Sequence, residues 1–247
     1  MKDFVREDIL VSRLADGGAS THPMPIASTA PALAGPIAVP EAVDQGTYRQ
    51  WGKRVLDIAL VLISLPVTIP VILLSAVALW VESGLPFYTQ DRLGRNGKRF
   101  RILKLRTMVR DADAQFERLM QTDAALRAEW NATQKLQNDP RVTRVGAFLR
   151  VTSLDELPQI WNILTGEMTL VGPRPMMPQQ LSLYGDPRAY FAMRPGLTGA
   201  WQVSTRNQSE FQARWSFDAQ YHAYHNLRED LRIIWRTVGV VLKRTGY

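Results

Sequence analysis

The 247-residue chain contains no cysteine. Disulfide bridges, thiolate nucleophiles and cysteine-ligated zinc are therefore excluded at the outset. Histidine is nearly as scarce: His22 lies near the N-terminus, and His222 and His225 sit three residues apart near the other end. The middle of the chain has none, which argues against a Ser-His-Asp triad or a histidine-rich metal site there. Chemistry in that region must come from carboxylates, lysines, arginines, hydroxyls or amides. Two further stretches lack charge, for opposite reasons. Residues 17–40 are rich in Ala, Pro, Ser and Thr with no sustained hydrophobic period, so they cannot bury enough apolar surface to offset their ordering entropy. The opening MKDFVREDILVSRL is charged throughout and is not a signal peptide. Residues 1–45 are expected to form a disordered N-terminal tail. Residues 58–81, by contrast, are uncharged because they are apolar.

About twenty apolar residues suffice to cross a bilayer core, so residues 46–86 read as a membrane segment. A single straight span is the simplest form. Two features favour a segment that enters, bends and returns to its own side. Pro66 and Pro70 sit near the middle, where each removes a helical hydrogen bond. Both flanks are basic: Arg49, Lys53 and Arg54 before, then Arg92, Arg95, Lys98, Arg99, Arg101, Lys104 and Arg106 after. The positive-inside rule keeps both ends on the cytoplasmic face. The bend would need internal hydrogen-bond partners such as Ser64 or Thr68. Beyond residue 50 the chain holds 26 Lys/Arg against 17 Asp/Glu, a net of +9, which suits phospholipid head groups, phosphorylated substrates or nucleic acid.

Residues 87–108 alternate apolar with polar or basic side chains around Gly94 and Asn96-Gly97, the pattern of a β-hairpin. Lys104 and Arg106 share a face by the period of two; on residues alone they serve equally as a solvated edge or as head-group contacts. Residues 111–137 have the composition of one polar helix carrying Phe116, Leu119 and Met120 on a side. At the C-terminus, Leu231, Ile234, Trp235, Val238, Val241 and Leu242 fall on one helical face, with Arg228, Arg232, Arg236, Lys243 and Arg244 around it. Such a helix packs on a core or lies in a membrane interface; the interface is the expectation.

The most telling stretch is Ser153-Leu154-Asp155-Glu156-Leu157-Pro158-Gln159, followed by Gly172-Pro173-Arg174-Pro175. Ser153 and Glu156 have the spacing of a capping box, and acidic residues in a first helical turn suit the helix dipole. Yet two adjacent carboxylates beside an arginine in a rigid loop could also build a metal site, a nucleophile and a phosphate clamp. With Trp161-Asn162-Ile163-Leu164, Gly166-Glu167-Met168 and Arg194-Pro195-Gly196-Leu197-Thr198-Gly199 in series, the chain from about Lys53 onward resembles the bacterial sugar transferases, monotopic phosphoglycosyl transferases. The run from Ala128 to Thr143 resembles the short, single-domain members that initiate exopolysaccharides by loading galactose 1-phosphate. The chain departs from the family's Ser-Pro break: it carries Ile69-Pro70 and the additional Pro66.

The resemblance implies an α+β fold: a mostly helical small cytoplasmic domain (87–247) with a short β-hairpin, seated on a Pro-broken re-entrant membrane helix and interfacial amphipathic helices. It implies an enzyme on the cytoplasmic face of a bacterial inner membrane, with UDP-sugar (UDP-galactose first) and undecaprenyl phosphate as substrates, membrane lipid as a partner, and no nucleic acid. Homo-oligomerisation is left open. Asp155 would be the nucleophile and Glu156 its dyad partner, the two also ligating Mg²⁺. Lys104, Arg106, Arg150, Arg174, Arg194 and Arg206 would bind substrate phosphate or nucleotide. A non-catalytic membrane scaffold of a polysaccharide assembly complex is the alternative, as is a basic binding module.

Overall fold

The computed structural model describes residues 46–133, 136–204 and 211–242; the expected tail, Arg206, Lys243 and Arg244 lie outside them. A π-helical turn, Tyr48–Gly52, runs into α1 (Lys53–Ser83), which Gly84 ends in the left-handed conformation at φ 82°. Among the described residues α1 is the one helix long and apolar enough to cross a membrane. It continues through both prolines. Ser64 Oγ donates to the Val61 carbonyl at 2.8 Å and Thr68 Oγ1 to that of Ser64 at 3.1 Å. The carbonyls that Pro66 and Pro70 leave without an N–H are those of Leu62 and Pro66, four residues back. The hydroxyls therefore serve neighbouring carbonyls, not the ones the prolines free.

Burial along α1 is one-sided. Asp57, Val61, Ala76 and Leu79 are buried, and Leu65 and Ile72 between them are partly so, a spacing that repeats one helical face. The outer face carries Ile63, Val67, Leu74, Val77 and Val81, all more than half exposed. The buried face meets the hairpin β1 (Phe87–Leu93) and β2 (Arg99–Leu105), paired antiparallel from Phe87↔Leu105 to Leu93↔Arg99. Its turn is the expected one, with Asn96 at φ 59° and Gly97 at φ 73°, conformations these residue types adopt most cheaply. Phe100 and Ile102 point from β2 into the core with Val61.

The single polar helix expected over residues 111–137 is two, α2 (Ala112–Thr122) and α3 (Ala124–Thr133). Asp123 breaks them apart: its backbone is extended, and its Oδ1 accepts from the N–H groups of Ala125 and Leu126, capping α3. Then follow α4 (Arg144–Val151), capped by Thr143 Oγ1 on the Gly146 N–H, and α5 (Ile160–Leu164). A second, unforeseen sheet pairs β3 (Thr169–Val171) parallel to β4 (Gly196–Thr198), with α6 (Arg188–Ala192) between them in sequence. Strands of three residues are too short to show a period. The chain continues as α7 (Ala200–Ser204), α8 (Arg214–Tyr224) and α9 (Leu227–Leu242).

Two buried carboxylates lock α1 to this domain. Asp57 accepts from Thr169 Oγ1 at 2.6 Å and the Leu170 N–H at 2.9 Å. Asp230 of α9 accepts from Tyr48 Oη and Lys53 Nζ, both at 2.5 Å, and from Tyr221 Oη. Asp57→Ala would strand two donors in the interior and is expected to cost about 2–4 kcal/mol, read as a lower denaturant midpoint in detergent. Glu82→Ala, losing one exposed bond to the Val145 N–H, should stay within about 0.5 kcal/mol.

The apolar stripe foreseen on α9 divides. Ile233, with Ile234 beside it, packs on Val171, Met193 and Tyr221, because Asp230 pulls that side inward. Leu231, Trp235, Val238 and Leu242 remain exposed, Trp235 at 78%.

Candidate active site

The capping-box reading of Ser153 fails. Ser153 takes a left-handed conformation at φ 57°, its side chain caps nothing, and the segment Leu154–Gln159 is a 3₁₀ helix. That backbone costs a non-glycine residue of order 1–3 kcal/mol, and what it achieves is the aim of the next residues. Glu156 turns away from the helix end to meet two cations: Lys104 Nζ at 2.8 Å and Arg174 Nη2 at 2.9 Å, both on Oε1. Asp155, half-buried alongside, makes no hydrogen bond or ion pair among the described residues. Burial pushes its carboxyl above the usual carboxylate range; Lys104, Arg150 and Arg174 oppose the shift and the Glu156 charge adds to it. Burial likewise lowers Lys104 and Arg150, against the pull of the carboxylates. One carboxylate is thus spoken for and its neighbour is available.

Each member is delivered by a separate element. Lys104 follows Phe100 and Ile102 on the inward face of β2, so the core face of the strand ends in a cation. Asn162 of α5 fixes that strand: its Oδ1 accepts from the Leu103 N–H at 3.0 Å, and its Nδ2 donates to the Arg101 carbonyl and to Glu167 Oε2. Asn162 was part of the motif series, but only the fold reveals this role. Arg150, at the end of α4, donates from Nε to Thr107 Oγ1 at 2.8 Å. Gly146 allows that approach, because a Cβ there would lie 2.2 Å from the Thr107 carbonyl oxygen.

Arg174 stands on a loop bonded from both sides. Gly172 N–H donates to the Thr198 carbonyl and Gly196 N–H to that of Pro173. On the other flank, Leu93 N–H donates to the Met176 carbonyl, the Met176 N–H donates to Tyr190 Oη, and Tyr190 Oη donates to the Leu93 carbonyl at 2.6 Å. A guanidinium on so rigid a base suits an oxyanion partner.

Of the residues singled out from sequence, Lys104, Arg150, Asp155, Glu156 and Arg174 come together. Arg106 keeps the face of Lys104 but sits 5.3 Å over the Tyr88 ring, its cross-strand diagonal neighbour. Arg194 lies elsewhere: the charges that bear on its half-buried guanidinium are those of Arg95, Arg54 and Asp57, not the dyad. The segment from Arg194 to Gly199 contains β4 and bonds the Arg174 loop through Gly196 and Thr198. Arg92, read from sequence only as part of a basic flank, and Arg214, not singled out at all, both feel the Arg174 charge; no spacing links them to the motif. No group of three His, Cys, Asp or Glu among the described residues forms an all-protein metal cage. Asp155 and Glu156 would be the protein donors to a cation that takes only one or two protein carboxylates and fills its shell with phosphate and water, as Mg²⁺ does.

A family model described as bacterial sugar transferase matches residues 48–244. The UDP-galactose-lipid carrier transferase of Erwinia amylovora is 44% identical over 195 residues, 78% of this chain and 41% of that protein. The exopolysaccharide production protein ExoY of Rhizobium meliloti (strain 1021) is 43% identical over 218 residues, covering 86% and 96% of the two chains. The UDP-glucose:undecaprenyl-phosphate glucose-1-phosphate transferase of Caulobacter vibrioides is 37% identical over 200 residues, covering 77% and 69%. This chain therefore spans well under half of the Erwinia relative and nearly all of the Rhizobium one. The matched span takes in α1, the hairpin, the carboxylate pair and the Arg174 loop alike, and the chain belongs to the bacterial sugar transferase family.

Proposed function

We propose that the protein transfers a hexose 1-phosphate from a UDP-sugar, UDP-galactose first, to undecaprenyl phosphate, releasing UMP, as the first membrane step of exopolysaccharide synthesis. The observation that carries this reading is the unequal engagement of two adjacent carboxylates. Glu156 is held by Lys104 and Arg174, while Asp155 is left to react. An Asp155 oxygen attacks the phosphorus bearing the sugar, the bond to the bridging oxygen breaks, and UMP departs with that electron pair. The phosphate oxygen of undecaprenyl phosphate then attacks the aspartyl phospho-sugar and regenerates the carboxylate. Lys104, Arg150 and Arg174 offset the charge that builds up on the phosphoryl oxygens. Mg²⁺, held by Asp155 and Glu156, would neutralise the donor diphosphate. UMP release by purified protein in nanodiscs, across a panel of UDP-sugars with and without polyprenyl phosphate and Mg²⁺, tests the reading and names the donor. A folded protein that releases UMP from none of them would sink it.

The packing of α1 supports a seating from one side of the membrane. The stretch from Asp57 to Leu79 is roughly 33 Å of helix at 1.5 Å per residue, about the thickness of a bilayer core. Both ends of it are buried against the same domain. A straight span would carry one end away from that domain, so a segment seated from one side, on the cytoplasmic face, is favoured. The open stripe of α9 beside Arg228, Arg232 and Arg236 suits the interface. Because the chain has no cysteine, single-cysteine variants make a clean test. Trp51→Cys and Lys98→Cys should both resist a membrane-impermeant thiol reagent applied from the periplasmic side. Labelling of one but not the other would mean a true span.

A further inference from the structure

Three arginines border one aromatic cluster, in which Leu93, Met176, Tyr184, Tyr190, Phe191 and Phe211 pack together. Arg92 precedes Leu93 and Arg174 lies two residues before Met176. The Leu93 N–H bonds the Met176 carbonyl at 3.0 Å, so these two arginines stand on adjoining segments. Arg214, at the start of α8, has its guanidinium 4.3 Å from the Phe211 ring centroid and 4.2 Å from that of Trp201. It is 6% exposed, and its Nε is buried with no hydrogen-bond partner among the described residues. Asp218, one turn along α8, attracts it as a charge but makes no hydrogen bond to it among the described residues. That carboxylate accepts from Tyr184 Oη, and burial raises it to about 7. Among the described residues Arg92 hydrogen-bonds only to the uncharged Gln90 Oε1 and to its neighbour's carbonyl, with the Glu156 charge acting on it as well. Arg174 contributes one bond to Glu156. Burial and the Arg174 charge lower Arg214 to about 9 and Arg92 to about 10. The two rings attract the Arg214 guanidinium as a cation but supply no acceptor for its N–H groups. Buried cations that repel one another are costly unless an anion joins them.

We propose that Arg92, Arg174 and Arg214 form a cradle for a phosphate group, in which Arg92 and Arg214 are binding residues that complete Arg174. The cradle stands next to Glu156 through Arg174, so it is placed to hold a phosphate that is not itself attacked by Asp155. Two sources have this chemistry, the phosphate of the departing UMP and that of the lipid acceptor. Which of them occupies the cradle rests on the transferase reading; the cradle as an anion site does not.

Arg214→Met tests it, since the side chain keeps its length and its contact with Phe211 and Trp201 but loses its charge. Binding to full-length protein in nanodiscs would be measured by calorimetry with UMP, with a short-chain polyprenyl phosphate and with inorganic pyrophosphate. Without ligand the variant gives up the attraction of Asp218 together with the repulsion of Arg174, so its melting temperature should stay close to that of the wild type. Its affinity for one of the three probes should fall roughly 10- to 100-fold. A fall confined to UMP assigns the cradle to the donor, and one confined to polyprenyl phosphate assigns it to the acceptor. Arg92→Gln should weaken the same probe, and it decides the matter should Arg214→Met not fold. Wild-type affinity for all three probes in the variants that fold would overturn the cradle. Loss of pyrophosphate binding in Arg214→Met would uphold it even if no UDP-sugar supported UMP release, an outcome that sinks only the transferase reading.

Discussion

Asp155→Asn is expected to abolish UMP release, lowering turnover by on the order of 10⁴-fold or more, while leaving the fold intact. The amide keeps the shape of the side chain but cannot form the acyl-phosphate. No hydrogen bond is lost in the exchange, because none holds the Asp155 carboxylate among the described residues. Stability should hold or rise slightly, since a half-buried charge beside Glu156 disappears. Incubation of the wild type with a UDP-sugar alone should add the mass of a hexose phosphate to the intact protein; the variant should show no such adduct. Glu156→Gln makes the contrasting case. It leaves Lys104 and Arg174 without the carboxylate they share, so it should lose stability as well as rate. If Asp155→Asn retained UMP release, the assignment of the nucleophile would be wrong. If it still supported polysaccharide assembly in cells, a scaffold role would take over.

Gly196→Ala should be nearly as damaging, by an unrelated route. A Cβ at Gly196 would lie 2.1 Å from the Gly172 backbone nitrogen and 2.4 Å from the Thr198 carbonyl oxygen. Both neighbours are backbone, and both belong to the ladder that carries the Arg174 loop. The loop must move by an ångström or more for the methyl to fit, and Arg174 moves with it. A misplacement of that size in a positioning residue costs roughly 100-fold in rate; the strain should also destabilise by about 1–3 kcal/mol. Gly199→Ala, where the Cβ would meet the Gly172 carbonyl oxygen at 2.1 Å, should behave alike. Gly239→Ala on α9, with nothing within 4 Å, is the control and should be neutral or mildly stabilising. Full activity in Gly196→Ala would show that the two loops tolerate separation, and that Arg174 does not depend on β4.

The two readings of the segment from Arg194 to Gly199 mark where sequence stops being informative. Its one proline and two glycines are legible as a tight connection, and the resemblance would have Arg194 bind substrate phosphate or nucleotide. The fold uses the glycines to let two backbones touch and sends Arg194 towards Arg54 and Arg95. The hairpin was legible because alternation and a turn sequence are local signals. The break at Asp123 was missed because a polar helix with one internal cap has the same composition as one without. Asp57 and Asp230 were unreadable as anchors: each is an ordinary acidic residue until Thr169, Lys53 and Tyr48 arrive from across the chain and Tyr221 from the preceding helix.

By itself, then, the sequence determined the chemistry available and its order along the chain: no thiol, no central histidine, an apolar segment interrupted by prolines, a carboxylate pair and an arginine between prolines. These follow from residue type and short spacing, which need no folded state. Only the tertiary structure decided which carboxylate is occupied and which arginines converge. It alone showed that α1 meets the domain near both of its ends, because such facts depend on contacts between residues 18 to 182 positions apart.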